Sequence, residues 1–323
     1  MVTTASEVAM IVSDDDDMQK HALLALSLLP GIGVAALCRL LQLCPTPLTI
    51  LRNPRSITAE LRDRATIEKI ANADIDMALE TATLQHRLAE EVGVTIVTCF
   101  DKAYPKNLTE VALAPPVLFV RGHLHPEDHL SVAIVGTRQA SIEGQGRARK
   151  LAGLLAERGV TVVSGLARGI DTAAHQATLS SGGHTIAVVG TGLDRTYPAE
   201  NTVLADQIAD QGAIVSQFPM RTPPSSHNFP MRNKTMALLS LVTVVVEAGE
   251  VSGAKMQADY ALRLKHDLVE RKVFLAQSLI DKQDETGWAR EFLARGAKPL
   301  RDVEDIIAAL PLPKIAVQRR LPL

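Results

Sequence analysis

Aromatic residues are scarce in this sequence: they fill 3% of 323 positions, with one Trp, three Tyr and six Phe. A platform of several stacked rings under successive bases cannot be built from so few. Cysteine is nearly absent as well, since Cys38, Cys44 and Cys99 include no CxxC pair and no histidine spacing completes a zinc site. Neither a metal nor a disulfide framework is expected, and free thiols fit a reducing cytosol. No stretch approaches the roughly 20 uncharged apolar residues of a membrane helix. The N-terminus has no basic segment leading into an apolar run, so a soluble, cytoplasmic protein is expected. Two nucleotide signatures are also missing. Gly136-Thr137-Arg138-Gln139-Ala140 places an arginine where GxGxxG wants glycine, and no GxxxxGK[ST] occurs. No cofactor is expected.

What is present is 46% hydrophobic residues, ample for a buried core. The formal net charge of -2 hides an uneven distribution. Residues 1–90 carry 8 Lys/Arg against 12 Asp/Glu, whereas residues 131–235 carry 10 against 7. The middle of the chain is the basic part, which matters for an anionic partner.

The acidic tetrad Asp14 to Asp17 marks residues 1–18 as a disordered tail, because adjacent like charges repel. Residues 19–92 read as a small all-helical domain of helix-hairpin-helix type, with helical spacing on both sides of the turn Pro30-Gly31-Ile32-Gly33. The negative charge of this segment favours a packing role for that turn. From residue 93 to 310 the texture is α/β. Short β-rich runs fall at 95–100 and 117–121, followed by strands at 132–136, 160–164, 185–190, 213–217, 241–247 and 272–276. Helices are expected at 144–158, 171–181, 200–211, 252–265 and 285–295. Continuous apolar strands alternating with helices predict a doubly wound, mostly parallel sheet of Rossmann-like type. Residues 311–323 read as a C-terminal tail.

In such a sheet, ligands bind beyond the carboxyl ends of the strands, and there the sequence places small residues beside cations. The loops read Gly136-Thr137-Arg138, then Ser164-Gly165-Leu166-Ala167-Arg168-Gly169, then Gly190-Thr191-Gly192. A proline-rich loop follows, running into Asn228-Phe229-Pro230-Met231-Arg232-Asn233-Lys234. Glycine lets a phosphate approach backbone N–H groups while an arginine fork holds its oxygens. Arg138, Arg168 and Arg232 are the expected phosphate contacts, on one rim, with Phe229 as a lone stacker. No catalytic residue is expected. Asp171 reads as a helix N-cap, Ser164 lacks a G-x-S-x-G elbow and His175 falls on a helix. Glu247 reads as a cap for Ser252-Gly253, with base-edge binding and glycosidic cleavage as alternatives.

These motifs together resemble the DprA/Smf family of DNA-processing proteins. The likeness rests on Ile134-Val135-Gly136-Thr137-Arg138, on residues 164–171, on Gly190-Thr191-Gly192-Leu193-Asp194 with Tyr197-Pro198 and Asn201, and on residues 228–233. Val245-Val246-Glu247-Ala248 and Ser252-Gly253-Ala254 extend it. The resemblance implies a dimer that binds single-stranded DNA in the Rossmann-like pocket, protects it during natural transformation and recombination, and helps load the RecA recombinase. It carries a DNA-contact role onto Arg138, Arg168, Phe229, Arg232, Asn233 and Lys234. Gly136, Thr137, Ser164, Gly165, Gly169 and Gly192 are expected to complete that site. Departures are visible: Lys255-Met256-Gln257-Ala258 replaces a small, threonine-bearing helix start. His184 stands where the family often has a lysine, which would remove a permanent cation from the pocket. No winged-helix domain is expected after Ile307, and a specialised relative, in a mobile element or in phage defence, fits these departures. A second reading is a nucleotide sensor or N-glycosidase of the LOG type, although no PGGxGTxxE stretch is present. A third is a scaffold that acts only through a protein partner.

Overall fold

The computed structural model describes residues 5–57, 61–109, 111, 113–264, 271–282 and 287–311. Helices α1 (Ala5–Leu28), α2 (Val34–Leu43), α3 (Pro47–Arg52), α4 (Leu61–Ala71) and α5 (Ile75–Glu90) come first. Strand β1 (Val94–Thr98), the short α6 (Lys106–Thr109) and β2 (Val117–Gly122) lead into the alternating part. That part runs β3 (Ser131–Gly136), α7 (Ile142–Ala156), β4 (Thr161–Ser164), α8 (Ile170–Ser180), β5 (Thr185–Val189), α9 (Thr202–Gln211) and β6 (Ala213–Ser216). It continues with α10 (Asn228–Leu239), β7 (Val242–Glu247), α11 (Gly253–Arg263), β8 (Lys272–Ala276) and α12 (Gln277–Lys282). It ends in α13 (Trp288–Ala294), β9 (Lys298–Leu300) and α14 (Val303–Ile307).

The strands form one sheet in the order β1-β2-β6-β5-β4-β3-β7-β8-β9. β6 through β9 are parallel, and β1 and β2 add an antiparallel edge. Successive side chains of a strand point to opposite faces, and the two cores show this directly. Val132 and Ile134 pack with α7, α8 and α14, whereas Ala133 and Val135 pack with α10, α11 and α13. Both faces are covered, which is why these strands read as unbroken apolar runs.

Four features depart from the sequence reading. Helix α1 takes in the acidic tetrad assigned to a disordered tail; Lys20 closes on Asp16 at 2.6 Å and on Asp101 at 2.9 Å, offsetting the local repulsion. The helical segment also has no core of its own: Leu23, Leu26, Leu40 and Ile70 share one cluster with Val117, Phe119 and Ala187 of the sheet. Finally, residues 228–239 form a helix where a loop was expected, and the edge strand β9 was not foreseen. The turn at Pro30-Gly31 is exposed; Gly31 has φ +75° and its carbonyl accepts from Lys69 at 3.4 Å. Of the expected C-terminal tail, residues 312–323 lie outside the described residues.

Candidate nucleic-acid interface

The chain lays β4, β5 and β6 down on one side of β3 and then returns to place β7 on the other. This reversal opens a crevice at the carboxyl ends of β3 and β7. Gly136, at the end of β3, sits so close to its neighbours that a Cβ would lie 2.4 Å from Ile170 and 2.8 Å from the Glu247 carbonyl. Thr137 N–H donates to that carbonyl at 2.7 Å, fixing the first loop over the end of β7.

The second loop is wound around a carboxylate. Asp171, 5% exposed, accepts from the N–H groups of Gly165 at 3.1 Å and Ala167 at 3.3 Å. The residue between them, Leu166, is buried with φ +58°, a conformation seldom seen outside glycine. These two amides therefore face inward and are not offered to an anion. Asp171 lies in the first turn of α8, whose cap is Gly169 (φ +76°). Burial pushes the Asp171 carboxyl above the ordinary range, opposed by the charge of Arg232 and the two N–H donors.

The three arginines occupy different levels. Arg232 comes from α10, is 5% exposed, and donates to the Val188 carbonyl at 3.0 Å. It packs directly on Gly165, where a Cβ would stand 1.5 Å from its Nη1. Burial lowers its ordinary value, partly offset by Asp171, but a guanidinium remains charged in proteins. It is the charged floor of the site. Arg168 lies on the rim with both guanidinium branches on the carboxylate of Glu200. Arg138 is exposed, has no carboxylate partner among the described residues, and lies over the Phe229 ring at 5.2 Å. The expectation of three equivalent rim cations is thus corrected to one open, one carboxylate-held and one buried.

Phe229 is not a lone ring. Tyr197 meets it at 5.8 Å between centroids, tilted by 30°, and Gly190 leaves room beneath, since a Cβ there would come within 3.1 Å of the ring. Arg138, Ala167, Phe229 and Arg232 form a wall shared by two chambers. The smaller, about 310 Å³, is lined further by Gly165, Arg168, Thr191, Tyr197 and Glu200. The larger, about 470 Å³, is lined by Gly136, Thr137, Asn233, Ser252, Gly253 and Gln257.

Eight of the expected site residues therefore meet here: Gly136, Thr137, Arg138, Gly165, Arg168, Phe229, Arg232 and Asn233. Four line neither chamber. Ser164 is buried with its hydroxyl on the Ile134 carbonyl at 2.6 Å. Gly169 supports the Thr137 and Arg138 carbonyls, and Gly192 packs against Pro219 and Arg221. Lys234 lies on another face of α10, where its charge acts on Cys38. His184 is also remote from the chambers. It precedes β5 at the opposite sheet edge and bonds Asp128 at 2.7 Å. Glu247 does not cap Ser252-Gly253, where the Ser252 hydroxyl caps its own helix; its Oε2 instead accepts from the N–H of Ser141, the N-cap of α7, at 3.2 Å and from the Ser141 hydroxyl at 2.9 Å. Tyr197, Glu200 and Gln257 were not singled out as site residues from the sequence. Tyr197, next to Pro198 in the motif, and Gln257, in the segment 255–258 that departs from the family's helix start, carried a signal.

A mostly parallel α/β sheet with an arginine-flanked, two-chambered crevice at its switch point defines a protein of Rossmann-like fold. The chain belongs to the DNA recombination-mediator protein A family, whose profile matches residues 95–311. It is 40% identical over 214 residues to protein Smf of Synechocystis, covering 65% of this chain and 52% of that one. It is 36% identical over 208 residues to the DNA processing protein DprA of Streptococcus pneumoniae, covering 64% of this chain and 71% of that one. With protein Smf of Escherichia coli the identity is 44% over 174 residues, 54% of this chain and 46% of that one. The chain thus spans about half the length of the two Smf relatives. Among solved structures it is similar to DNA processing protein A from Streptococcus pneumoniae, with TM-score 0.66 and 27% identity over 97% of this chain and all of that one. It also resembles DNA processing protein A from Helicobacter pylori, a protein with a unique single-stranded DNA binding mode, with TM-score 0.56 and 27% identity over 66% of this chain and 94% of that one.

Proposed function

We propose that this chain binds single-stranded DNA across the two chambers and serves DNA processing in transformation and recombination. The observation that carries the reading is the pairing of the open Arg138 guanidinium with the Phe229 ring on the wall between the chambers. A cation beside an aromatic face offers a phosphate contact and a stacking surface within one nucleotide's reach. The Helicobacter pylori relative, with its single-stranded DNA binding mode, supports the same ligand here. Protection of the strand, assistance to a RecA-type recombinase and assembly as a homodimer in the cytoplasm complete the proposal. No helix among the described residues is long and apolar enough to cross a membrane. The protein acts by binding and not by catalysis. In favour of this over glycosidic cleavage, the Glu247 carboxylate is engaged by Ser141.

The test is a salt series of fluorescence anisotropy with single-stranded and duplex oligonucleotides. Affinity should favour the single strand and fall steeply with salt. Arg138→Ala should weaken it and shallow the log–log salt slope by about 0.7, one phosphate contact on a single strand. Absence of single-strand binding at low salt, or an Arg138→Ala variant that binds like the parent, defeats the reading.

A further inference from the structure

Gln257 projects from α11 into the wall of the larger chamber and is 1% exposed. Neither its Nε2 nor its Oε1 has a hydrogen-bond partner in the protein. A buried carboxamide left in that condition is destabilising unless a ligand or solvent meets it. Of the other polar side chains lining the chamber, Gln139 stands exposed at the rim, and Asn233, Thr137 and Ser252 each bond to backbone. Asn233 donates to the Gly253 carbonyl at 3.1 Å, Thr137 Oγ1 accepts from Gln139 N–H at 3.2 Å, and Ser252 Oγ accepts from Ala254 N–H at 3.2 Å. Gln257 is thus the buried carboxamide of this chamber, with both hydrogen-bonding functions uncommitted.

We infer that Gln257 pairs with the Watson–Crick edge of an unpaired nucleobase held in the larger chamber, and that it thereby selects single strands over duplex. The inference rests on the single-strand reading above and deepens it. A carboxamide presents one N–H donor beside one carbonyl acceptor. The Watson–Crick edge of every base carries the same combination: N6–H and N1 of adenine, N4–H and N3 of cytosine, N1–H and O6 of guanine, N3–H and O4 of thymine. A half-turn of the amide matches either order, so one side chain accepts all four bases. In a duplex those edges are consumed by the complementary strand, and the amide would stay unpaired. Arg138, on the wall between the chambers, is placed for the backbone phosphate of the nucleotide whose base enters. A chamber of about 470 Å³ lies within the usual range for small-ligand pockets.

The experiment compares the full chain with Gln257→Met and Gln257→Leu. Both replacements keep an apolar stem of similar bulk and remove the unpaired amide, so melting temperatures should stay level or rise. Carrying two variants guards against a folding failure in either. The probes are a short mixed-sequence single strand, the same strand with abasic sites, its duplex, and the four deoxynucleoside monophosphates. Loss of about 5- to 100-fold in affinity for the base-bearing strand is expected, with an unchanged salt slope. The abasic strand should bind parent and variants equally, and the variants' preference for single strand over duplex should shrink. Variants that bind the base-bearing strand as the parent does, with the parent's salt dependence intact, overturn this inference while leaving the single-strand reading standing. A parent protein that binds no single strand overturns both. Monophosphates that bind the parent as tightly as the strand would make a free nucleotide the ligand and equally overturn it.

Discussion

On the rim of the smaller chamber, both guanidinium branches of Arg168 are held by the carboxylate of Glu200. Glu200 occupies the position that a phosphate would take on the same fork, since carboxylate and phosphate accept from arginine in the same bidentate geometry. The pair is exposed, with 60% and 49% of the two side chains accessible, so solvent screening keeps it weak and exchangeable. Glu200→Gln should therefore raise affinity for single-stranded DNA and steepen its salt dependence. The gain should vanish in an Arg168→Ala background. Equal affinity of the parent and Glu200→Gln at low salt would show that Arg168 does not reach the strand.

Phe229 supports Arg138 from below and contacts Tyr197 from the side. Replacing it with leucine keeps apolar bulk but removes the π face, so the loss isolates stacking from packing. Base–aromatic stacking is worth about 1–3 kcal/mol per base. Affinity should fall by a corresponding factor, with little change in the salt slope because no charge is removed. Titration of single strands against Phe229→Leu at three salt concentrations checks both parts.

Gly165 marks the closest approach in the site. Alanine there would place its methyl 1.5 Å from Arg232 Nη1 and 2.8 Å from the Asp171 carboxylate. Arg232 is buried and tied to the Val188 carbonyl, so it cannot swing away without losing that bond. Gly165→Ala should cost about 1–3 kcal/mol of stability, the usual range for overpacking. Denaturant unfolding measures it, and an unchanged midpoint would contradict the packing described.

The sheet was legible because each buried strand is an apolar run of its own length; β8 was placed at its observed bounds from Lys272 to Ala276. Helix α10 was not, because the proline-rich loop was read as running on into residues 228–234, which include Pro230. That proline falls in the first turn of the helix, where a backbone N–H has no partner to lose. Lys234 entered the expected site through the family resemblance. Once 228–239 is helical, Lys234 lies about 200° around from Arg232 and faces elsewhere. The arginine motifs were found as residues, but their levels were not, since whether a loop arginine meets Glu200 or packs on Gly165 depends on tertiary neighbours. Gln257 was visible only as part of a departure from the family's helix start. Its significance lies in being buried beside a chamber without a partner, and neither fact is written in the residues around it.

His175, fully buried under the site, ties the stability of this core to pH. The Thr185 hydroxyl donates to the Val162 carbonyl at 2.7 Å, so His175 Nδ1–H must donate to Thr185 Oγ1 across their 2.8 Å contact. This leaves Nε2 as an acceptor without a protein partner, where a proton would be unsolvated. Burial first, and then the charge of Arg232, lowers the imidazole to about 3 from its ordinary 6.5. The unfolded chain therefore binds a proton that the folded protein refuses. The stabilisation from a neutral His175 is whole above pH 6.5 and is lost progressively as pH falls from there toward 3. The local slope is at most about 1.4 kcal/mol per pH unit. Carboxylates titrate in the same window, so the contribution is isolated by comparison with His175→Gln. The stability of the parent relative to this variant should decline steadily below pH 6.5, by roughly 5 kcal/mol at most by pH 3. Chemical denaturation at half-unit pH intervals reads the difference directly. A gap between the two proteins that stays constant with pH would mean that His175 can take up its proton in the folded state.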